Sequence, residues 1–354
     1  MARHLRRAAI WACAMAAPLA SQAALNQLTG LYVFGDSLSD GGNSGLATQQ
    51  YTSNPAVVFP PPPYAGGRYS NGPVAVEQLW QRFNPGNTSF KPSLAGGTNY
   101  AIGGATTGQQ SFNYVNDSVP NALKPAYDQK SNAWQLQTFA AQAPAFNPAT
   151  SLFVVWLFPN DVFYWSKQGG MLPTVPESGP VGGADLIGYG VTNIVNTVQT
   201  LAAAGARHFL VPNMPDLGST PEFIGTAAAP DLTALTVGFN QTLALGLGQL
   251  AAAAPSLDIV AFDTFSHFAK VQANPGAYGF DVADQACLDL SAPSICAKPD
   301  KYVFWDGVHP TTAGHRKLGN AFYAAVVPEP ETWAMFVAGL LAVGAAARRR
   351  AARG

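Results

Sequence analysis

Short, largely apolar runs that alternate with helical stretches constrain this chain more than any other feature. Leu31–Phe34, Asn99–Ile102, Ser151–Leu157, His208–Val211 and Leu257–Phe262 read as strands. Strands with little polar alternation are buried on both faces, as parallel sheets with helical crossovers are. Val74–Phe83 behind Pro73, Ala133–Ala143, Ala184–Ala204 closed by Gly205, Leu232–Ala253 and Thr311–Val326 read as helices. The expected architecture is α/β: a three-layer α/β/α sandwich around a central, mostly parallel five-stranded sheet. Two segments break the rhythm. Gln50–Tyr69 holds Pro60 through Pro63 and reads as a loop, a candidate for the substrate rim. Gln272–Lys301 reads as a second loop near the site.

The two ends of the chain read as export signals. Arg3, Arg6 and Arg7 precede the apolar stretch Ala8–Leu19, and Ser21-Gln22-Ala23 offers small residues for a signal peptidase. This predicts a leader over residues 1–23, too short in its apolar part to be a membrane anchor. At the other end, Val327-Pro328-Glu329-Pro330-Glu331 leads into the apolar run Trp333–Ala347 and then Arg348, Arg349, Arg350 and Arg353. The run is long enough for a transient membrane insertion, with the arginines holding the end in the cytoplasm. Those three parts resemble the PEP-CTERM sorting signal of Gram-negative bacteria. The resemblance implies cleavage near Pro328 by an exosortase-type enzyme and delivery to the cell surface or its polysaccharide matrix. A domain over 24–327 is expected between the signals.

Charged residues are 11% of the chain, well below what a soluble domain usually carries, and the apolar ends account for part of that deficit. Without residues 1–23 and 328–354, 12 basic and 18 acidic residues remain, a net charge near −6. An acidic surface without basic clusters argues against nucleic-acid binding. Cys13 leaves with the leader. Cys287 and Cys296 remain, and in an exported chain they are expected to form one local disulfide. His267 and His309 do not complete a zinc spacing with them, so no metal site and no cofactor are expected.

The chemistry gathers in a few places. The first strand runs into Gly35-Asp36-Ser37-Leu38-Ser39-Asp40-Gly41-Gly42-Asn43. A serine at the carboxyl end of a parallel strand sits where open α/β sheets bind ligands, although a turn with a capping Asp or Ser would look the same. Near the other end, Asp306-Gly307-Val308-His309-Pro310 puts a carboxylate three residues before an imidazole. In a turn, that carboxylate can accept from one ring nitrogen while the other takes a serine proton. His4 lies in the leader, His208 opens a strand, and His267 and His315 have helical contexts. Gly103-Gly104 can offer backbone N–H groups to an oxyanion, and Asn160 its amide, though each also suits an ordinary turn. Ser37, Gly104 and Asn160 follow successive predicted strands, whose carboxyl ends converge in a parallel sheet.

Gly35-Asp36-Ser37, Gly104, Asn160 and His309 resemble, in order, the four blocks of the SGNH (GDSL) hydrolases. Gly67-Arg68-Tyr69-Ser70-Asn71-Gly72, Asn99 to Ala105, Asn213 to Gly218, Phe239-Asn240 and Phe304 to Pro310 resemble the lipase-like GDSL branch. The resemblance spans about 29–326. It implies the flavodoxin-like sandwich of SGNH hydrolases and a serine ester hydrolase acting on a lipid or an acylated sugar. It implies Ser37 as nucleophile, His309 as general base then acid, and Asp306 as its orienting partner. The oxyanion hole would be the Ser37 and Gly104 N–H groups with the Asn160 side chain. One position departs: the third block usually begins with glycine and here has Phe158, which either narrows the cleft or demands a different backbone turn. Of the nearby aromatics, Trp156 is expected in the core and Phe163, Tyr164 and Trp165 at the cleft. Three other functions share these residues: a sugar deacetylase, an acyltransferase, and a non-catalytic matrix-binding protein.

Overall fold

In β1 (Gly30–Gly35), Leu31 and Val33 point to one face and Tyr32 and Phe34 to the other, and all four are buried. That two-sided burial is why the strand is apolar without alternation. β2 (Ser151–Trp156), β3 (His208–Pro212) and β4 (Asp258–Phe262) follow in the same sheet, ordered β1-β2-β3-β4 and parallel throughout. The computed structural model describes residues 25–174, 185–292, 294–327 and Gly339. The expected leader (1–23) and, apart from Gly339, the sorting segment (328–354) lie outside the described residues.

Helices cover both faces. On one side, α2 (Ala75–Phe83), α8 (Thr264–Ala273) and α9 (Thr312–Val326) bring Leu79, Phe268 and Phe322 onto Leu31, Val33 and Val154. On the other, α4 (Asn132–Gln142), α6 (Leu186–Ala203) and α7 (Ala229–Ala253) bring Phe139, Val198 and Phe239 onto Phe34, Phe153 and Phe209. Each such side chain contributes roughly 1.5–3 kcal/mol by leaving water. The helix starts are encoded locally. Thr311 Oγ1 accepts from Gly314 N–H at 3.1 Å to begin α9, and Glu77 accepts from Val74 N–H at 2.9 Å to begin α2.

The expected strand at Asn99–Ile102 is reduced to isolated parallel bridges of Asn99, one to Val33 and one to Pro92. The segment still runs beside β1: Tyr100 N–H donates to Val33 O at 2.8 Å and Ile102 N–H to Gly35 O at 3.3 Å. Its outer edge is occupied by backbone bonds of Asn99 with Lys91 O and Ser93 N–H, and by the Asn43 amide, which donates to both Asn99 O and Ala101 O. Four regular strands plus this edge segment therefore replace the five predicted.

The two expected loops also contain regular structure. α1 (Asn43–Thr52) runs into the Gln50–Tyr69 stretch. Gln272–Lys301 begins at the end of α8 and carries β5 (Val282–Ala286), which pairs with β8 (Tyr302–Phe304) away from the central sheet. It also holds a hairpin of β6 (Leu288–Asp289) and β7 (Ser294–Ile295), closed by a Cys287–Cys296 disulfide. β6, β7 and β8 have only two or three residues, too few to show a period, and β5 mixes polar with apolar residues.

Candidate active site

The turn that carries Ser37 is fixed from several directions. At the exit of β1, the Gln135 side chain of α4 accepts from Gly35 N–H at 2.9 Å and donates to Gly35 O at 2.8 Å. This buried clamp occupies the backbone groups of Gly35 and turns the chain out of the sheet. Asp36 Oδ1 accepts from Leu38 N–H at 3.0 Å, closing the turn around Ser37. Asp40 then accepts from Gly42, Asn43 and Ser44 N–H at the start of α1, and from Gly103 N–H at 2.9 Å. One buried carboxylate thus ties the serine turn to the turn that carries Gly104.

His309 comes from the opposite end of the chain, just past β8. Its Nε2 lies 2.8 Å from Ser37 Oγ, and its Nδ1 lies 2.9 and 2.8 Å from the two oxygens of Asp306. Asp306 Oδ1 also accepts from the N–H groups of Val308 and His309 at 2.9 and 2.8 Å. That is how a spacing of three residues becomes a rigid carboxylate–imidazole unit. The loop is anchored by the segment after Arg68. Ser70 Oγ donates to Pro310 O at 2.9 Å, Asn71 accepts from Thr312 N–H at 2.7 Å, and the Tyr69 ring lies 5.1 Å from the imidazole.

Burial lowers the His309 pKa, but the charge and hydrogen bond of Asp306, with Asp36 and Glu222 behind them, raise it further, and the net shift is upward. Burial raises Asp306, and the His309 charge and donors outweigh it, so Asp306 is held below the usual carboxylate range. Asp36 is pushed up to about 7 by burial, against the Leu38 N–H, the His309 charge and the Asn160 amide. Asp161 is also pushed up to about 7 by burial, although it accepts from Thr107 N–H and Oγ1 at 2.8 and 2.6 Å.

Ser37, Gly104, Asn160, Asp306 and His309 all line one cleft of about 400 Å³. The N–H groups of Ser37 and Gly104 meet no backbone acceptor among the described residues. Gly104 has φ 78°, and a Cβ there would lie 2.5 Å from Asn113, so only glycine fits. Asn160 is the second residue of α5 (Pro159–Lys167), which follows β2 and packs beside the short α3 (Phe112–Val115) through Phe163 and Phe112. The rest of the wall is mainly carbon, with Phe59, Pro60, Phe112, Phe163, Leu217 and Leu290. Among the described residues, no group of three or more His, Cys, Asp or Glu side chains is arranged to hold a metal ion.

A family model described as GDSL-like Lipase/Acylhydrolase matches residues 31–322. The chain belongs to that family. The family is one of lipases and acylhydrolases, enzymes that cleave ester bonds. A second model, the PEP-CTERM protein-sorting motif, matches residues 326–350. An uncharacterized Pseudomonas putida protein from the trpE-trpG intergenic region is 27% identical over 315 residues, 85% of this chain and 49% of its own length. The chain thus spans about half the length of that relative. A GDSL esterase/lipase of Arabidopsis thaliana is 25% identical over 85% of this chain and 87% of its own length. Among solved structures, a catalytic mutant of an acetylxylan esterase from Geobacillus stearothermophilus aligns with a TM-score of 0.42 and 15% identity, over 86% of this chain and 96% of that one.

In this GDSL-like hydrolase, the departure at Phe158 does not narrow the cleft. The Phe158 ring is fully buried on the far side, stacked on Phe239 with centroids 3.8 Å apart. Its backbone has φ 123°, a region where glycine is at ease and phenylalanine is strained by roughly 1–3 kcal/mol. Burying a whole phenyl ring offsets that cost. Room for the ring comes from Gly190, where a Cβ would lie 2.2 Å from Phe158. Trp156 is in the core, as expected. Phe163 lines the cleft, whereas Tyr164 and Trp165 do not; Trp165 packs against the core behind it. His315 is buried, accepts from Ala75 N–H at 3.2 Å, and is pushed down to about 3 by burial, so it is structural. His267 sits in α8, held below its ordinary value by burial. Gln135, Tyr64 and Glu222 also belong to the site, although nothing in their local sequence pattern sets them apart.

Proposed function

We propose that this protein is an exported serine esterase working through an acyl-enzyme on Ser37. The reading is carried by one observation: Ser37 Oγ, His309 and Asp306 form a continuous hydrogen-bonded chain in the wall of the cleft. His309 Nε2 takes the hydroxyl proton as Ser37 Oγ bonds to the ester carbonyl carbon. Asp306 keeps the other proton on Nδ1 and balances the imidazolium that forms. The carbonyl oxygen, now negative, is held by the N–H groups of Ser37 and Gly104 and by the Asn160 amide. The alcohol leaves with the proton from His309. Water then attacks the acyl-enzyme with His309 again as base, and releases the carboxylic acid.

The mature enzyme would run from 24 to 327, after removal of residues 1–23 by a signal peptidase and of 328–354 by an exosortase-type enzyme. The sorting motif at 326–350 supports export to the surface or matrix of a Gram-negative cell. For the substrate, the carbon-rich wall favours an acyl chain longer than acetyl. Each further methylene that leaves water adds roughly 0.8 kcal/mol until the cleft is filled.

The test uses protein 24–327 on p-nitrophenyl esters from acetyl to palmitoyl, with Ser37→Ala alongside. kcat/KM is expected to rise from acetyl to a mid-length chain, and Ser37→Ala to lower it by roughly 10⁴-fold or more in a folded protein. A peak at acetyl would favour a deacetylase of matrix polysaccharide. Activity retained by Ser37→Ala would end the mechanism.

A further inference from the structure

The proline-rich segment before Arg68 does more than form a wall of the cleft. Its last residue, Tyr64, donates its hydroxyl to Asp306 Oδ2 at 2.7 Å, across 242 residues of sequence. The ring meets Trp305 and Tyr69 edge-on, with centroids 6.3 Å away in each case, so the hydroxyl is aimed by packing. The two oxygens of Asp306 are served differently. Oδ1 has the N–H groups of Val308 and His309, whereas Oδ2 has Tyr64 as its one donor besides the imidazole among the described residues. Asp306 is buried to 5% exposure, so its charge is balanced mainly by these donors. Burial and then the Asp306 charge push the Tyr64 hydroxyl far above its ordinary pKa, which keeps it a donor at every working pH.

We propose that Tyr64 is a positioning residue of the hydrolase: it holds the outer oxygen of Asp306 and shares its charge, and so sets the orientation and basicity of His309. This rests on the reading of Ser37, His309 and Asp306 as the reacting unit. A carboxylate held at both oxygens cannot rotate, and the imidazole bonded to it keeps Nε2 on Ser37. A hydroxyl donating to Oδ2 also withdraws part of the negative charge that would otherwise act on His309. The other charged groups that face His309 are Asp36 and Glu222, with neutral His315 beyond, and none of them touches Asp306 Oδ2. The segment from Phe59 to Pro61 lines the cleft, so one short stretch contacts substrate and fixes Asp306.

The experiment compares Tyr64→Phe, Asp306→Asn, the double variant and Ser37→Ala on one short soluble ester across pH. Tyr64→Phe is expected to lower kcat about tenfold, in line with loss of a hydrogen bond to a charged group, with KM within about twofold. The acid limb of kcat/KM should move to higher pH, because the full Asp306 charge then acts on His309. In the Asp306→Asn background, Tyr64→Phe should cost almost nothing further, since its target charge is gone. An unchanged or lowered acid limb, or an equal loss in both backgrounds, would overturn the positioning role. Ser37→Ala separates this from the larger reading. If it keeps activity, the reacting unit itself is wrong; if it is dead while Tyr64→Phe behaves as wild type, only Tyr64 is wrong.

Discussion

Ser37, Gly104 and Asn160 stand at the carboxyl ends of β1, the Asn99–Ile102 segment and β2, whereas Asp306 and His309 stand on a loop after β8, outside the central sheet. The first group is braced by buried polar side chains bonded to backbone: Gln135 on Gly35, Asp40 on Gly103, Asn43 on Asn99 and Ala101. The second is braced by tyrosine and by the hydroxyl and amide of Ser70 and Asn71. Damage to braces of the first kind leaves unsatisfied groups in the core and costs stability. Damage to the second kind also alters the imidazole and costs rate, even where, as at Ser70, the brace is equally buried.

That contrast can be broken most sharply at Asn160. If its amide serves the oxyanion, Asn160→Ala should lower kcat by roughly 10²–10³-fold with little change in KM, read by steady-state kinetics on the best p-nitrophenyl ester. A loss below about threefold would return Asn160 to the framework. Next comes Gly190→Ala, which drives a methyl into the Phe158 ring. It should cost about 1–3 kcal/mol, seen as a lower urea midpoint, while the folded fraction keeps normal kcat. Unchanged stability would mean that the Phe158 turn is not braced from this side. The smallest effect concerns His309. Because its pKa is raised and it must be neutral to accept the serine proton, kcat/KM should fall as pH drops, with a midpoint above the ordinary 6.5. Glu222→Gln should move that midpoint down by a fraction of a unit, and no movement would remove Glu222 from the field acting on His309.

Much of the framework was legible because β1, β2, β3, β4 and their long covering helices repeat a strong apolar pattern. The short strands β5 to β8 and the helices α1 and α5 were not read, because motif or loop residues mask their period, and α8 showed only as the helical context of His267. Ser37, Gly104, Asn160, Asp306 and His309 could be proposed because each stands in a compact motif, and the structure gathers all five on one cleft. Tyr64 and Gln135 could not, since their partners lie 242 and 100 residues away and a lone Tyr or Gln carries no local signal. Phe158 showed as an anomaly, but its resolution needed Gly190 and Phe239, which only the packing brings to it.

The separation of 272 positions between Ser37 and His309 also imposes an order in time. A chain that emerges with its N-terminus first presents the nucleophile early and the base almost last. Until β8 and α9 have followed, Ser37 is an ordinary alcohol with no partner to take its proton. If the chain is exported as its sorting motif suggests, a hydrolase threaded in that order would gain its base only when nearly its whole length had emerged.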